Sequence, residues 1–146
     1  MADVTAGGPQ PPAGAPVRPG DVDTGFWLWL AAVPLMVIGQ LADAYAAAEA
    51  AGNSTLLVAT AFVATIIGGV VVGLLALLRS GYRWARTVLT TGGLITIFLT
   101  MVNLMTAARP PIPAVVYAVT GIFGSVFIAG GIYLLHRPDS QRYFGR

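Results

Sequence analysis

Residues 56–78 read LLVATAFVATIIGGVVVGLLALL and contain no charged side chain. A predominantly apolar run of about 18 residues or more is long enough to cross the hydrocarbon core of a bilayer as a helix. Apolar and polar residues do not alternate in this stretch, so it is not typical of a strand in a membrane β-barrel. We therefore predict a transmembrane helix here.

Three further uncharged stretches flank this one, if His136 is counted as neutral: residues 24–42, 87–108 and 110–136. They predict an all-α bundle of four transmembrane helices, together forming a membrane domain over residues 21–146 that ends in a short basic tail. The segment 1–20, rich in proline, glycine and alanine, predicts a disordered leader. The four helices are expected at about 25–45, 56–78, 84–107 and 113–135.

The composition of the 146-residue chain agrees with a membrane protein. Hydrophobic residues make up 56% of it and charged residues 10%, and its mean hydropathy is +0.77. A soluble domain has about 25% charged residues, so a soluble enzyme and a disordered chain are both disfavoured. There is no cysteine and one histidine, and we find no nucleophile–base pair, paired-carboxylate site or phosphate-binding loop. The sequence thus predicts no catalytic, metal or cofactor site.

The arginines predict the orientation of the helices. All eight basic residues are arginine, and seven of them lie before the first helix, between the second and third, or after the fourth. The positive-inside rule then predicts a multi-pass protein of the plasma (inner) membrane with both termini in the cytoplasm. Because the arginines are divided among segments, we do not expect nucleic-acid binding. Candidates for contact with anionic lipid head groups or a partner on the cytoplasmic side are Arg79, Arg83, Trp84, Arg86, Arg137, Tyr143 and Phe144.

Small residues recur every four positions along the second and fourth helices, and Gly69 and Gly73 form a GxxxG match. Such rows let another helix approach closely. Packing within the bundle is the favoured explanation, and a contact with another subunit is the alternative. The candidates for helix packing or a partner interface are Ala61, Thr65, Gly69, Gly73, Gly121, Gly124 and Ser125.

A few polar side chains fall within or beside the predicted spans. Three of them lie on one face of the third helix, where they are expected to hydrogen-bond within the bundle. Asp43 is expected near the outer interface, where water can hydrate it, so we interpret it as a boundary residue rather than a midplane acid. The intramembrane polar candidates are Gln40, Asp43, Thr96, Thr100 and Asn103.

Some motifs resemble those of a known group of proteins. Asp21-Val-Asp-Thr-Gly-Phe-Trp-Leu-Trp-Leu opens the first helix, Gly81-Tyr-Arg-Trp-Ala-Arg forms the second connection, and Arg137 precedes a closing Tyr143-Phe144. In this order they resemble small four-helix membrane proteins of mycobacteria and related actinobacteria. Some proteins of this general shape are accessory subunits of the cytochrome bcc–aa3 respiratory supercomplex, and the resemblance implies that role as an expectation.

Two functional hypotheses follow. The first is a non-catalytic accessory or scaffold subunit of a larger plasma-membrane complex, in contact with lipid and with larger subunits. The alternative is a small proton-coupled multidrug-type transporter that acts as a homodimer, which requires an acid within the membrane. A lipid-modifying enzyme ranks last because catalytic groups are not found.

Overall fold

The structure is a computed structural model that describes residues 20–138 and residue 140. It confirms the predicted all-α fold of four helices, each long and apolar enough to cross a membrane. The helices are α1 (Gly20–Ala51), α2 (Thr55–Arg79), α3 (Arg83–Thr106) and α4 (Pro111–Leu135). Residues 1–19 of the predicted leader, and the candidates Tyr143 and Phe144, lie outside the described residues.

The first helix is longer than the prediction of about 25–45. It begins at Gly20, and it continues to Ala51 because residues 46–51 are alanine and glutamate, which are strong helix formers. Gly52 then ends it with a φ of +61°, a backbone conformation that glycine adopts most easily. A helix of 32 residues is about 48 Å long, against a hydrocarbon core of about 30 Å. Hydropathy located the most apolar part of α1 but not its alanine-rich end.

The four helices form a ring in chain order, so that α1 contacts α2 and α4, and α3 contacts the same two helices. The contact between α1 and α4 is the most extensive, because glycines allow the two backbones to approach closely. A Cβ atom on Gly131 would lie 2.5 Å from the Trp29 ring, and one on Gly39 would lie 2.5 Å from the Thr120 hydroxyl. Large apolar side chains cover much of the outer surface, as lipid contact requires.

The bundle is closed at one end and more open at the other. We call the closed end the hairpin end, since it contains the α2–α3 connection at residues 80–82. The only buried residues of α2, Leu75 and Leu78, lie there. Fewer residues of α2 are buried towards the opposite end, which contains the α1–α2 and α3–α4 connections and which we call the outer end of the bundle. The core at the hairpin end comprises Val22, Leu75, Leu78, Ala85, Leu89 and Leu135.

Candidate functional site

An ion pair at the outer end joins the α3–α4 connection to α1. The Nε and Nη2 atoms of Arg109 donate to the two carboxylate oxygens of Asp43, with Nη2 to Oδ2 at 3.2 Å. The Nη1 atom donates to the carbonyl oxygen of Asn103 at 2.9 Å. The Arg109 side chain is 6% exposed and that of Asp43 34% exposed. Two-point pairing of this kind is stronger and more directional than a single hydrogen bond.

An aromatic ring from α4 completes this cluster. The guanidinium carbon of Arg109 lies 4.1 Å from the centroid of the Tyr117 ring, a cation–π contact. Tyr117 is buried, and its side chain interacts with that of Thr100 on α3. Arg109 therefore connects α1, α3 and α4, and we call Asp43, Arg109 and Tyr117 the outer cluster.

The sequence prediction did not pair these residues. Asp43, which the sequence predicts to be a boundary residue, has a side chain that is about one-third exposed, and its carboxylate accepts hydrogen bonds from Arg109. Arg109 is the one arginine outside the three arginine-rich segments, and Tyr117 lies one helical turn before Gly121 in the α4 row. One signal was present, because an isolated acid and an isolated base occurred at the same predicted membrane face.

A partly open cavity of about 600 Å³ lies below the outer cluster. Residues of α1, α2 and α3 form most of its wall, and α4 contributes Tyr117 and Ile128. Four of the five intramembrane polar candidates line this cavity, and they come from two helices, α1 and α3. These four residues are Gln40, Thr96, Thr100 and Asn103.

The polar and apolar linings are separated along the cavity. Gln40 lies about 16 Å along α1 from Trp29, which is at the inner end with Ile128 and Val71. The Thr96 hydroxyl donates to the carbonyl oxygen of its own helix at Gly92, at 2.8 Å. In contrast, Gln40 and Asn103 are exposed, and their side-chain amides have no hydrogen-bond partner among the residues that the structure describes. The outer end of the cavity thus carries two unpaired amides.

The small residues of α4 face into the bundle. A Cβ atom on Gly121 would lie 2.9 Å from Thr100 of α3, and one on Gly124 would lie 2.9 Å from Met36 of α1. Ser125 is also buried, and its hydroxyl has no partner in the described part of the chain. This row therefore serves contacts between α4 and its two neighbours.

The small residues of α2 face the other way. Thr65, Gly69 and Gly73 are exposed, and a Cβ atom on either glycine would have no atom of the described residues within 4 Å beyond the nearby backbone of α2 itself. The Thr65 hydroxyl donates to the Ala61 carbonyl oxygen at 2.8 Å, so its polar group is satisfied within the helix. Ala61 itself is half-buried. We call Thr65, Gly69 and Gly73 the outward row of α2.

Two of the candidate arginines at the hairpin end form ion pairs with α1. Arg79 lies 3.4 Å from Asp23, with its guanidinium 5.1 Å from the Phe26 ring centroid, and Arg137 lies 3.2 Å from Asp21. These pairs connect the start of α1 to the ends of α2 and α4. The remaining described candidates on the α2–α3 side are the exposed Arg83 and Trp84 and the half-buried Arg86.

Comparison of the chain with family models, with curated proteins and with solved structures finds no match. The class of protein is therefore defined by the helices themselves, which suggest a multi-pass, four-helix membrane protein. Three features of this protein bear on its function: the outer cluster, the cavity and the outward row of α2.

Proposed function

We propose that this protein is a non-catalytic subunit of a larger membrane-protein complex, and that it binds its partner through the outward row of α2. The observation that carries this proposal is the open space above Gly69 and Gly73. In lipid, helices associate through close packing and hydrogen bonds, and small residues allow their backbones to approach. Glycine is also a poor helix former, by about 1 kcal/mol relative to alanine, and a lipid-facing glycine recovers none of this through packing.

The surroundings of the row suit a partner helix. Ile66 and Val70 on one side of it, and Val72 on the other, are all exposed. The branched side chains on both sides of the exposed glycines form a shallow groove. A row of side chains on a second helix can pack into this groove. The proposed partner surface is therefore apolar and helical.

The proposal also includes an orientation and a host membrane. With the hairpin end in the cytoplasm, the arginine-rich segments obey the positive-inside rule in the plasma membrane. Arg83 and Trp84 then lie at the level of the lipid head groups, where anionic lipid or an acidic partner segment would be attracted. The resemblance to actinobacterial four-helix proteins favours a respiratory complex as the larger assembly.

The transporter hypothesis gains less support. A proton-coupled exporter needs an acid that exchanges its proton during transport. Asp43 is the acid closest to the cavity, and it is held by two hydrogen bonds from Arg109. Within the described part of the chain, the cavity wall contains no charged residue. The accessory role is therefore the one that the geometry supports better.

The experiment is a quantitative pull-down of the tagged full chain from native membranes in mild detergent, with mass spectrometry of the co-purifying proteins. We expect much larger membrane subunits in stoichiometric yield, and a several-fold loss of them with Gly73→Leu. Gly92→Leu is the matched control, because Gly92 on α3 is also exposed and open, and it should retain the partner. Recovery of the protein alone or as a homodimer would contradict the proposal.

A further inference from the structure

We propose that the cavity below the outer cluster binds an amphipathic lipid with one apolar chain and an uncharged, hydrogen-bonding head. The head would lie beside Gln40 and Asn103, and the chain would run inwards to Trp29. This inference is independent of the proposed partner contact, because the outward row of α2 does not line the cavity.

The size and lining of the cavity suit such a ligand. Sites for small molecules measure about 300–1,000 Å³ and are mostly apolar with a few well-placed polar groups. This cavity measures about 600 Å³, and its wall combines apolar residues with a small set of amides and hydroxyls. Its volume and lining therefore fall within the range of sites for small molecules.

The two unpaired amides give the strongest argument. Gln40 and Asn103 come from different helices and line the same end of one space. Both residues are exposed within the partly open cavity, so inside a bilayer their amides would need a partner from outside the chain, either water or a ligand. A ligand head with hydroxyl or carbonyl groups would satisfy both amides at once, since each amide both donates and accepts.

The charges around the cavity favour an uncharged head. None of the lining residues that the structure describes is charged. The nearest cation, Arg109, already contacts Asp43, the Asn103 carbonyl oxygen and the Tyr117 ring. An anionic head would lack a free counter-charge, and burying an unpaired charge is costly.

The inner end of the cavity favours a single chain. Trp29 and Ile128 both pack onto Gly93 of α3, where a Cβ atom would lie 2.7 Å from the Trp29 ring and 2.8 Å from the Ile128 side chain. This contact closes the bundle below the cavity with apolar groups of α1, α3 and α4. The roughly 16 Å between the levels of Gln40 and Trp29 sets the depth available to the chain.

Native mass spectrometry of the full chain in an uncharged detergent tests the proposal, with 1-monooleoylglycerol as the probe. We expect one saturable adduct per chain. Oleoyl lysophosphatidylglycerol, which has the same chain and an anionic head, should bind at least about fivefold more weakly. Absence of a saturable adduct would overturn the proposal, and equal binding of the two lipids would overturn its assignment of an uncharged head.

Substitutions then locate the adduct. Ala64→Phe fills the cavity from α2 and should weaken binding at least about tenfold, whereas Ala76→Phe on the exposed surface of α2 should not. The double variant Gln40→Leu with Asn103→Leu should weaken it about three- to tenfold, the range expected for lost hydrogen bonds. Equal binding by both alanine variants would overturn the site. Unchanged binding by the double variant would mean that only water pairs with the amides.

A spectroscopic measurement remains decisive if Ala64→Phe does not fold. Two variants keep one tryptophan each, either Trp29 inside the cavity or the exposed Trp84 outside it. Monooleoylglycerol brominated on its chain should quench Trp29 saturably, and Trp84 only in proportion to the amount of lipid in the micelle. Identical quenching curves for the two tryptophans would contradict binding in the cavity.

Discussion

Arg109 and Asp43 form a two-point ion pair between residues 66 positions apart in sequence, at the outer end of the bundle. The pair fixes the α3–α4 connection to α1 at a level where neither charge has full access to water. The Tyr117 ring packs against the Arg109 guanidinium, so that this group contacts Asp43 along its edge and Tyr117 on its face. Asp43 is therefore a structural residue of the bundle.

Arg109→Gln is predicted to destabilise the protein by about 1–3 kcal/mol, measured by unfolding in detergent. The arginine side chain is almost fully buried, so its loss leaves the Asp43 carboxylate without its partner. The effect should stay below that of a fully buried pair, because the carboxylate is partly hydrated. Arg109→Lys should give an intermediate loss, since lysine keeps the charge but not the two-point geometry.

The double variant Asp43→Asn with Arg109→Gln separates the pair from the two individual residues. We expect it to be less destabilised than the sum of the two single variants, by about 1 kcal/mol or more. Strict additivity of the three free energies of unfolding would show that the two side chains do not stabilise the fold through each other.

Gly131→Ala is predicted to destabilise the α1–α4 contact by about 1–3 kcal/mol, because the new methyl group would overlap the Trp29 ring. Gly92→Ala is the control, since nothing lies within 4 Å of its added atom. It should be neutral or stabilising by up to about 1 kcal/mol through helix propensity. The melting temperatures of both variants are measured by thermal unfolding in one detergent. Similar melting temperatures would contradict the close packing of Gly131 against Trp29.

The ion pairs at the hairpin end are predicted to matter much less. Asp23 and Arg79 are each 44% exposed, so Asp23→Asn should change the free energy of unfolding by less than about 1 kcal/mol. Any effect should shrink as salt is added, because exposed charges are screened. A large, salt-independent loss of stability would show that this pair has a greater structural role than its exposure indicates.

The sequence predicted the helices well because the uncharged runs are long and their ends are marked by arginine, proline or glycine. It missed the last turns of α1, where alanine continues a helix without raising hydropathy enough to count as a span. It gave no pairing of Arg109 with Asp43, because a shared predicted membrane face does not fix which side chains meet when they are 66 residues apart in sequence. It also could not say which way each small-residue row faces. Lipid and bundle interior are equally apolar, so Gly69 and Gly121 look alike until their neighbours are seen.

The central claim is that the outward row of α2 binds a larger membrane protein, and the most direct measurement compares two variants in one pull-down. Equal amounts of the Gly73→Leu and Gly92→Leu proteins are isolated from native membranes, and the co-purifying subunits are quantified. We predict that the partner is lost only with Gly73→Leu. Equal retention of the partner by both variants, or isolation of the unsubstituted chain without any larger subunit, would contradict the claim.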